Sequence, residues 1–222
     1  VIIPAPYWVS YPAMTQLAQG IPVPVRTSFE HNYRLTPEQL EEAITDKTRV
    51  LILCSPSNPT GSCYSKQDLE GLAEVLRRYP NISIISDEIY EYIVFDEEHI
   101  SLLNVAPDLK DRVALINGFS KGFAMTGWRL GYLAGPEELV KAVGKIQSQE
   151  TSAPSSISQA AGFAAYSGTL DEVLVMRASF KTRRDFMVEQ LNSIEGVSCF
   201  SPGGAFYVFP DISSYLGSVT PS

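Results

Sequence analysis

Three short stretches of the sequence are almost entirely apolar, and each is followed by a group of polar residues. They span residues 49–54, 82–86 and 113–116. A run of this length without polar alternation is typical of a strand that is covered on both faces of a sheet. Helical patterns lie between the runs, which favours a largely parallel sheet. The predicted fold class is therefore α/β, a three-layer sandwich with a mostly parallel sheet.

The other elements are predicted from periodicity and from helix-capping residues. Thr36, followed by Gln39 three residues on, forms the sequence pattern of a capping box at the start of a helix. Residues 4–11 are expected to be extended. Further strands are predicted at 21–25, 128–134, 197–200 and 205–209, and helices at 38–44, 65–79, 136–146, 157–166 and 170–194.

The long helical pattern at 170–194 suggests how the chain divides into domains. We predict a large domain in residues 1–169, with its N-terminal part missing. Residues 170–222 would then be a bridging helix and the start of a smaller, truncated α+β domain. The chain opens as a strand already under way and has no initiator Met, so we expect it to be a piece of a longer protein.

Charge and cysteine content exclude several classes of function. The formal charge is −8 and the pI is near 4.8, and the basic residues are scattered, so no nucleic-acid surface is expected. No run of 18 apolar residues is present, so no transmembrane helix is predicted. Cys54, Cys63 and Cys199 lack the spacing of a zinc site or a disulfide framework. They are expected to be reduced thiols, and no metal site is predicted.

The polar groups that follow the three apolar runs have a shared expected location. Asn58 follows the first run, Asp87 and Tyr90 follow the second, and Lys121 follows the third. In open α/β sheets, ligands bind at the carboxyl ends of the strands. We therefore expect these side chains to meet in one crevice, as a cofactor site requires.

An amine and a carboxylate in one crevice suit the chemistry of pyridoxal 5'-phosphate. That cofactor needs an amine to bond its aldehyde and an anion to face its ring nitrogen. Lys121 can be the amine and Asp87 the anion. If the turn after Asp87 is helical, Tyr90 would face the same ring, because it lies three residues further on.

Four other side chains complete this cofactor interpretation. The Tyr90 hydroxyl and the Asn58 amide can hydrogen-bond the phenolic oxygen of the ring. Arg129 offers the planar fork that suits a phosphate. Trp8 can stack on the ring.

These motifs resemble those of the class I aminotransferases of fold type I, the aspartate aminotransferase superfamily. Within that superfamily, residues 6–12 (PYWVSYP) and 124–129 (AMTGWR) resemble the bacterial-type aspartate/prephenate aminotransferases. The resemblance implies that Lys121 is the Schiff-base lysine and that Asp87 is the partner of the ring nitrogen. It also implies that Asn58 and Tyr90 hold the phenolic oxygen, and that Arg129 and Trp8 hold the phosphate and the ring.

The resemblance also implies an activity and an assembly. An amino group would pass between aspartate or glutamate and a 2-oxo acid or prephenate, by a ping-pong mechanism. The protein would be a homodimer, with residues 147–158 as a candidate part of the interface. It would act in the cytoplasm, or in the plastid if its source is a plant or an alga.

The chain departs from the family pattern at one internal position and at its two ends. Many members carry a phosphate-binding Ser where this sequence has Gly118. Members also bring a glycine-rich phosphate loop from before the position of Val1. A substrate-binding arginine comes from beyond the position of Ser222. A non-catalytic folded fragment of an aminotransferase is therefore an alternative.

A serine hydrolase is the second alternative. Residues 118–122 (GFSKG) match the G-x-S-x-G pattern of the nucleophile elbow, with Ser120 at its centre. That elbow needs a histidine later in the chain, whereas His31 and His99 both precede Ser120. Both histidines are expected to be surface residues without ligand-like neighbours.

Overall fold

A computed structural model of the chain describes residues 1–217 and contains one six-stranded sheet within that range. The strand order is β2-β1-β3-β4-β5-β6. The first five strands are parallel, and β6 runs antiparallel to β5. The prediction of a mostly parallel sheet is confirmed. The strands are β1 (Ile2–Ala5), β2 (Val23–Arg26), β3 (Val50–Cys54), β4 (Ser83–Asp87), β5 (Val113–Gly118) and β6 (Gly131–Ala134).

Seven α-helices and four short 3-10 turns accompany the sheet within the described residues. The 3-10 turns are Phe29–His31, Pro107–Arg112, Thr126–Trp128 and Ser213–Tyr215. None of the helices formed within residues 1–217 has the length and apolar character needed to span a bilayer. The helices are α1 (Ser10–Leu17), α2 (Pro37–Ala43), α3 (Lys66–Arg78), α4 (Leu102–Val105), α5 (Glu137–Glu150), α6 (Ser156–Ser167) and α7 (Asp171–Asn192).

Alternation along the central strand creates the three layers. Leu51 and Leu53 of β3 belong to a large core that also contains α2, α3 and α4. Ile52, between them, packs in a second core with Ile3 and with Tyr11 of α1. Successive strand residues face opposite sides of a sheet, so helices cover both faces. Each fully buried Leu or Ile contributes about 1.5–3 kcal/mol to the stability of this arrangement.

Helix starts follow the capping pattern in the sequence. The Gln39 amide N–H donates to Thr36 Oγ1 at 3.3 Å, and the Thr36 amide N–H donates to Gln39 Oε1 at 3.1 Å. This confirms the capping box of α2. Ser65 and Asp68 form the same arrangement at the start of α3. Two orphan N–H groups are satisfied at each helix start, which fixes where the helix begins.

The predicted extended segment at 4–11 is wrong beyond residue 5. Strand β1 ends at Ala5, and helix α1 begins at Ser10. Pro12 lies in the first turn of α1. A proline is tolerated there because the amide groups of that turn have no intrahelical partner.

The strands predicted at 197–200 and 205–209 are also wrong. The first segment forms only an isolated bridge, between Ser198 and Asp211, and residues 205–209 form none, since the bridge to Val94 is made by the preceding Gly204. A strand needs a neighbouring strand to pair with, and no such neighbour lies beside these segments in residues 1–217. The strand predicted at 128–134 is shorter, since residues 126–128 form a 3-10 turn.

Helix α7 is attached to the rest of the fold through a buried guanidinium. Arg184 is 7% exposed and donates to Asp96 Oδ2 at 2.6 Å and to the Pro202 carbonyl at 2.8 Å. Asp96 also pairs with Lys181, another residue of α7, at 2.5 Å. These bonds join α7 to the loop after β4 and to the segment that follows α7. The domain division at residue 170 stays a prediction.

Candidate active site

The six side chains predicted for the site line one cleft at the carboxyl ends of β3, β4 and β5. The cleft encloses about 510 Å³, within the range of roughly 300–1,000 Å³ that is usual for small-molecule sites. The polar residues at the carboxyl end of each parallel strand, or just after it, lie at the same edge of the sheet. The six residues are Trp8, Asn58, Asp87, Tyr90, Lys121 and Arg129.

Asp87 is the last residue of β4, and its carboxylate is held in one orientation. Its Oδ2 accepts a hydrogen bond from the Tyr11 hydroxyl at 2.6 Å, and its Oδ1 accepts from the Ile89 amide at 3.3 Å. Burial raises the pKa of Asp87 above its ordinary value, while these two bonds partly oppose that rise. A partly desolvated carboxylate of this kind is stabilised when a cationic group enters the cleft and faces it.

Tyr11 is a residue of the cleft that the sequence interpretation missed. It lies three residues after Trp8, and the two rings meet edge to face at 5.5 Å. Burial, together with the nearby Cys54 and Asp87, raises the pKa of Tyr11, so its hydroxyl stays protonated and donates. The signal was an aromatic residue three positions after Trp8, which is visible only if a helical turn is recognised there.

Tyr90 lies in the turn after β4, which is not helical, and its side chain still faces the cleft. Its hydroxyl lies 2.7 Å from that of Tyr207, a second cleft residue that the sequence interpretation missed. Residues 205–209 had been predicted as a strand of a separate domain. The segment after α7 instead places Tyr207 in the cleft at the carboxyl ends of the strands.

Lys121 follows β5, in a turn that places it in the cleft half-buried. Its Nζ lies 5.6 Å from the centroid of the Phe206 ring. Within residues 1–217 its ammonium group forms no ion pair. The amine is therefore not engaged by a carboxylate in the described part of the chain.

Arg129 and Trp8 form the outer parts of the cleft. The Arg129 backbone has a left-handed φ of 50°, and its guanidinium donates to the Thr126 carbonyl at 2.8 Å. A guanidinium has five N–H donors in a fixed fork, so this bond leaves donors for an anion. Trp8 is 38% exposed and presents an aromatic face at the opening.

Gly118 permits β5 and β6 to approach closely just before Lys121. A Cβ atom at this position would lie 2.8 Å from the Gly131 Cα and 3.0 Å from the Leu130 carbonyl oxygen. Side-chain atoms at position 118 would meet backbone on the neighbouring strand. Close packing therefore accounts for glycine at position 118. The serine that the resemblance led us to expect there would not fit without a shift of β6.

Glu88, next to Asp87, points away from the cleft into a buried polar network. It is 2% exposed and accepts from the hydroxyls of Ser86 and Ser101, each at 2.7 Å. His99 Nε2 lies 2.8 Å from Glu88 Oε2. Burial alone would raise the pKa of Glu88, but these bonds outweigh burial and hold that pKa below its ordinary value.

This network corrects the prediction for one of the two histidines. His99 is half-buried against Glu88, so it is not a surface histidine. The prediction rested on the polar loop in which His99 lies. His31 is exposed, as predicted.

The serine hydrolase alternative is not supported. Ser120 does line the cleft, but β5 is followed by a turn, whereas the nucleophile elbow joins a strand to a helix. Neither histidine is among the residues that line the cleft, and His99 is engaged by Glu88.

The cleft and the sheet that carries it belong to a known family. The family described as "Aminotransferase class I and II" matches residues 1–218, so the chain belongs to the class I and II aminotransferases. Its fold is that of the type I pyridoxal-phosphate-dependent transferases, as predicted.

Individual relatives are about half identical to this chain over the aligned residues. An aspartate/prephenate aminotransferase of Cereibacter sphaeroides is 51% identical over 99% of this chain and 55% of the relative. A bifunctional aspartate aminotransferase and glutamate/aspartate-prephenate aminotransferase of Petunia hybrida is 52% identical, over 98% of this chain and 46% of the relative. The chain thus spans about half the length of the curated relatives it matches.

Solved structures of aspartate aminotransferases superpose closely on the described fold. The crystal structure from Rhizobium meliloti gives a TM-score of 0.97 at 47% identity, covering 99% of this chain and 55% of that one. The Thermus thermophilus enzyme with maleate gives a TM-score of 0.87 at 38% identity, covering 97% and 56%.

Proposed function

We propose that this chain forms the cofactor-binding part of a pyridoxal 5'-phosphate-dependent aminotransferase. One observation carries the proposal: Lys121 and Asp87, which follow neighbouring strands, line a single cleft. The donor set fits the group, because it offers an amine that forms no ion pair within residues 1–217, a partly buried carboxylate and a guanidinium with further N–H donors. Since the chain covers about half of its relatives' length, the activity is proposed for the whole protein.

When bound, pyridoxal phosphate would supply an aldehyde that accepts an amino group and a ring that accepts electrons from the substrate's α-carbon. Lys121 Nζ would hold the cofactor covalently and, once released, carry a proton to and from substrate. The Asp87 carboxylate would keep a proton on the ring nitrogen. The Tyr11 hydroxyl that Asp87 accepts from would keep that carboxylate oriented and ionised.

The other cleft residues would bind and orient. Tyr90 and Asn58 offer a hydroxyl and an amide for the phenolic oxygen of the ring. Arg129 offers N–H donors for the phosphate, and Trp8 offers an aromatic face for stacking. Gly118 cannot contribute a side chain to the phosphate, so backbone groups or the neighbouring Ser120 would have to replace the hydroxyl that many relatives place there.

Substrates are proposed from the relatives. The names of the Cereibacter and Petunia proteins include aspartate and prephenate, and the Thermus structure contains maleate, a dicarboxylate. We therefore propose aspartate or glutamate as the amino donor, and a 2-oxo acid or prephenate as the acceptor.

Assembly and location are proposed on the same basis. A homodimer would cover exposed apolar side chains on α5 and α6, among them Ile146, Ile157 and Phe163. The relatives include bacterial and plant proteins, which supports the cytoplasm, or the plastid if the source is a plant or an alga.

Borohydride trapping tests the proposal directly. The protein as encoded is incubated with pyridoxal phosphate, reduced, digested and examined by mass spectrometry. We expect the cofactor to be fixed on the peptide that contains Lys121. Lys121→Ala should lose both this label and the cofactor's visible absorbance, and should lower transamination by about 10²–10⁴-fold.

Lys47→Ala is the matched control, since Lys47 is exposed and precedes the amino end of β3, opposite the end that carries the cleft. It should keep label, absorbance and turnover. Labelling that survives in Lys121→Ala, or its absence from the unmutated protein, would refute the proposal. Labelling without turnover on any donor and acceptor pair would identify the chain as the non-catalytic fragment instead.

A further inference from the structure

Tyr207 contacts the cleft through one short hydrogen bond. Its hydroxyl lies 2.7 Å from the hydroxyl of Tyr90, and the two rings cross at 78° with centroids 5.8 Å apart. Tyr90 is 3% exposed and Tyr207 is half-buried, and both line the cleft. The two phenols therefore form a pair at the edge of the proposed cofactor site.

The number of phenolic hydrogens limits which hydrogen bonds Tyr90 and Tyr207 can donate. Each phenol carries one hydrogen, and it can also accept through its oxygen. The bond between the two hydroxyls uses one of the two hydrogens and leaves the other for a third group. When Tyr90 donates its own hydrogen to a group in the cleft, the hydrogen in the shared bond must come from Tyr207.

The backbone around Tyr207 holds it in place. The Gly204 amide donates to the Gly61 carbonyl at 3.0 Å, and the Ala205 amide donates to the Ile93 carbonyl at 2.8 Å. A Cβ atom on Gly61 would lie 3.1 Å from the Tyr207 carbonyl oxygen. The segment after α7 is thus packed directly on the loop after β3, which fixes the position of the Tyr207 ring.

We propose that Tyr207 is a positioning residue that donates to the Tyr90 oxygen, so that the Tyr90 hydroxyl donates into the cleft to the cofactor's phenolic oxygen. This inference rests on the proposed function. Burial raises the pKa of Tyr90, so Tyr90 keeps its hydrogen at neutral pH. The other titratable groups that act on Tyr90 are Cys54 and Asp87.

The inference has a spectroscopic consequence. A hydroxyl that accepts a hydrogen bond becomes a stronger donor, by about a tenth to a third of one bond's strength. A stronger donor to the cofactor's oxygen favours the ionised form of the bound cofactor and lowers the pH at which its absorbance changes. Tyr207 should therefore lower that pH through Tyr90.

A double-mutant cycle on the loaded protein, without substrate, tests this. In the protein as encoded, Tyr207→Phe should raise the midpoint of the absorbance titration by roughly 0.1–0.7 pH unit. In a Tyr90→Phe background, Tyr207→Phe should cause no further shift. Tyr166→Phe is the matched control, because the Tyr166 hydroxyl bonds another tyrosine, Tyr132, at 2.9 Å outside the cleft. It should leave the midpoint unchanged.

A second variant covers the case in which Tyr207→Phe does not fold. Tyr207→3-fluorotyrosine keeps the ring and the hydroxyl but donates more strongly, so the midpoint should fall.

Each outcome bears on a different claim. An unchanged midpoint in both position-207 variants would overturn the inference. So would a shift of equal size with and without the Tyr90 hydroxyl, since Tyr207 would then act on the cofactor directly. A cofactor band that never appears in the unmutated protein would refute the proposed function itself, and with it this inference.

Discussion

Gly61 illustrates how one residue in the loop after β3 controls the position of a cleft side chain. It has a left-handed φ of 71°. A Cβ atom there would lie 2.6 Å from the Pro202 Cβ and 2.8 Å from the Gly204 carbonyl oxygen. Both contacts lie on the segment that carries Tyr207. The glycine is required by backbone conformation and by packing together.

Gly61→Ala should therefore lower the free energy of unfolding by about 2–4 kcal/mol, the combined cost of a left-handed alanine and of overpacking. Urea denaturation measures this value. Gly144→Ala is the control, because Gly144 lies in α5 with open space around it. That change should be neutral or stabilising by up to about 1 kcal/mol. Equal stability of the two variants would contradict the packing argument.

The six predicted cleft residues could be found from sequence because each follows a strand or belongs to a recognisable motif. Parallel strands then bring them to one edge without further information. Tyr11 and Tyr207 could not be found in this way. The Tyr11 contact with Asp87 depends on α1 being a helix. The Tyr207 contact with Tyr90 depends on how the chain returns after α7.

At the scale of elements, the ends of α3 are fixed by two different devices. The start has a local capping box, which two residues, Ser65 and Asp68, encode. The end has Arg112, which donates to the carbonyls of Leu76 at 2.6 Å and of Tyr79 and Ile82, each at 2.9 Å. The Leu76 and Tyr79 carbonyls also accept from the Tyr79 and Ile82 amides, so the guanidinium adds a second set of bonds to the turn that ends the helix.

Arg112→Lys should lower the free energy of unfolding by about 1–3 kcal/mol, because an ammonium cannot reproduce a planar fork to three carbonyls. Thermal or urea unfolding measures the loss. Arg77→Lys is the matched control, because Arg77 is an arginine of α3 itself. Arg77 forms an exposed pair with Asp108, so its change should cost less than about 1 kcal/mol. The idea fails if the control is the more destabilised of the two.

Features that depend on residues a few positions apart were predictable, and features that depend on residues far apart in sequence were not. The capping box of α2 and the parallel strands follow from residues a few positions apart. The strands predicted at 197–200 and 205–209 did not form, because these segments lack neighbouring strands in residues 1–217. Pairing is decided by the rest of the fold, which a short window of sequence does not contain.

At the scale of the whole molecule, one acidic residue joins α7 to the body of the fold. Asp96 pairs with Arg184 at 2.6 Å and with Lys181 at 2.5 Å. The hydrogen bonds from Arg184 and then Lys181 lower the pKa of Asp96 from 3.8 to about 2. A carboxylate with a lowered pKa stabilises the fold above its ordinary pKa and loses that contribution as the pH falls.

Asp96→Asn should therefore destabilise the protein at neutral pH. The difference from the unmutated protein should stay constant above about pH 5 and shrink as the pH falls from about 4 towards 2. Urea denaturation over this pH range measures it. Asp111→Asn, at an exposed acid outside the ion pairs of residues 1–217, should show little difference at any pH. A constant difference for Asp96→Asn down to pH 2 would contradict the ion-pair explanation.

The cleft is lined by Trp8 near one end of the chain and by Tyr207 near the other. A molecule bound in this cleft would connect segments from nearly the entire polypeptide through the residues that line it. Its binding free energy would be added to the stability of the native state, in proportion to the logarithm of its concentration. The concentration of the proposed cofactor would then determine how long the protein resists heat and proteolysis, as well as its activity.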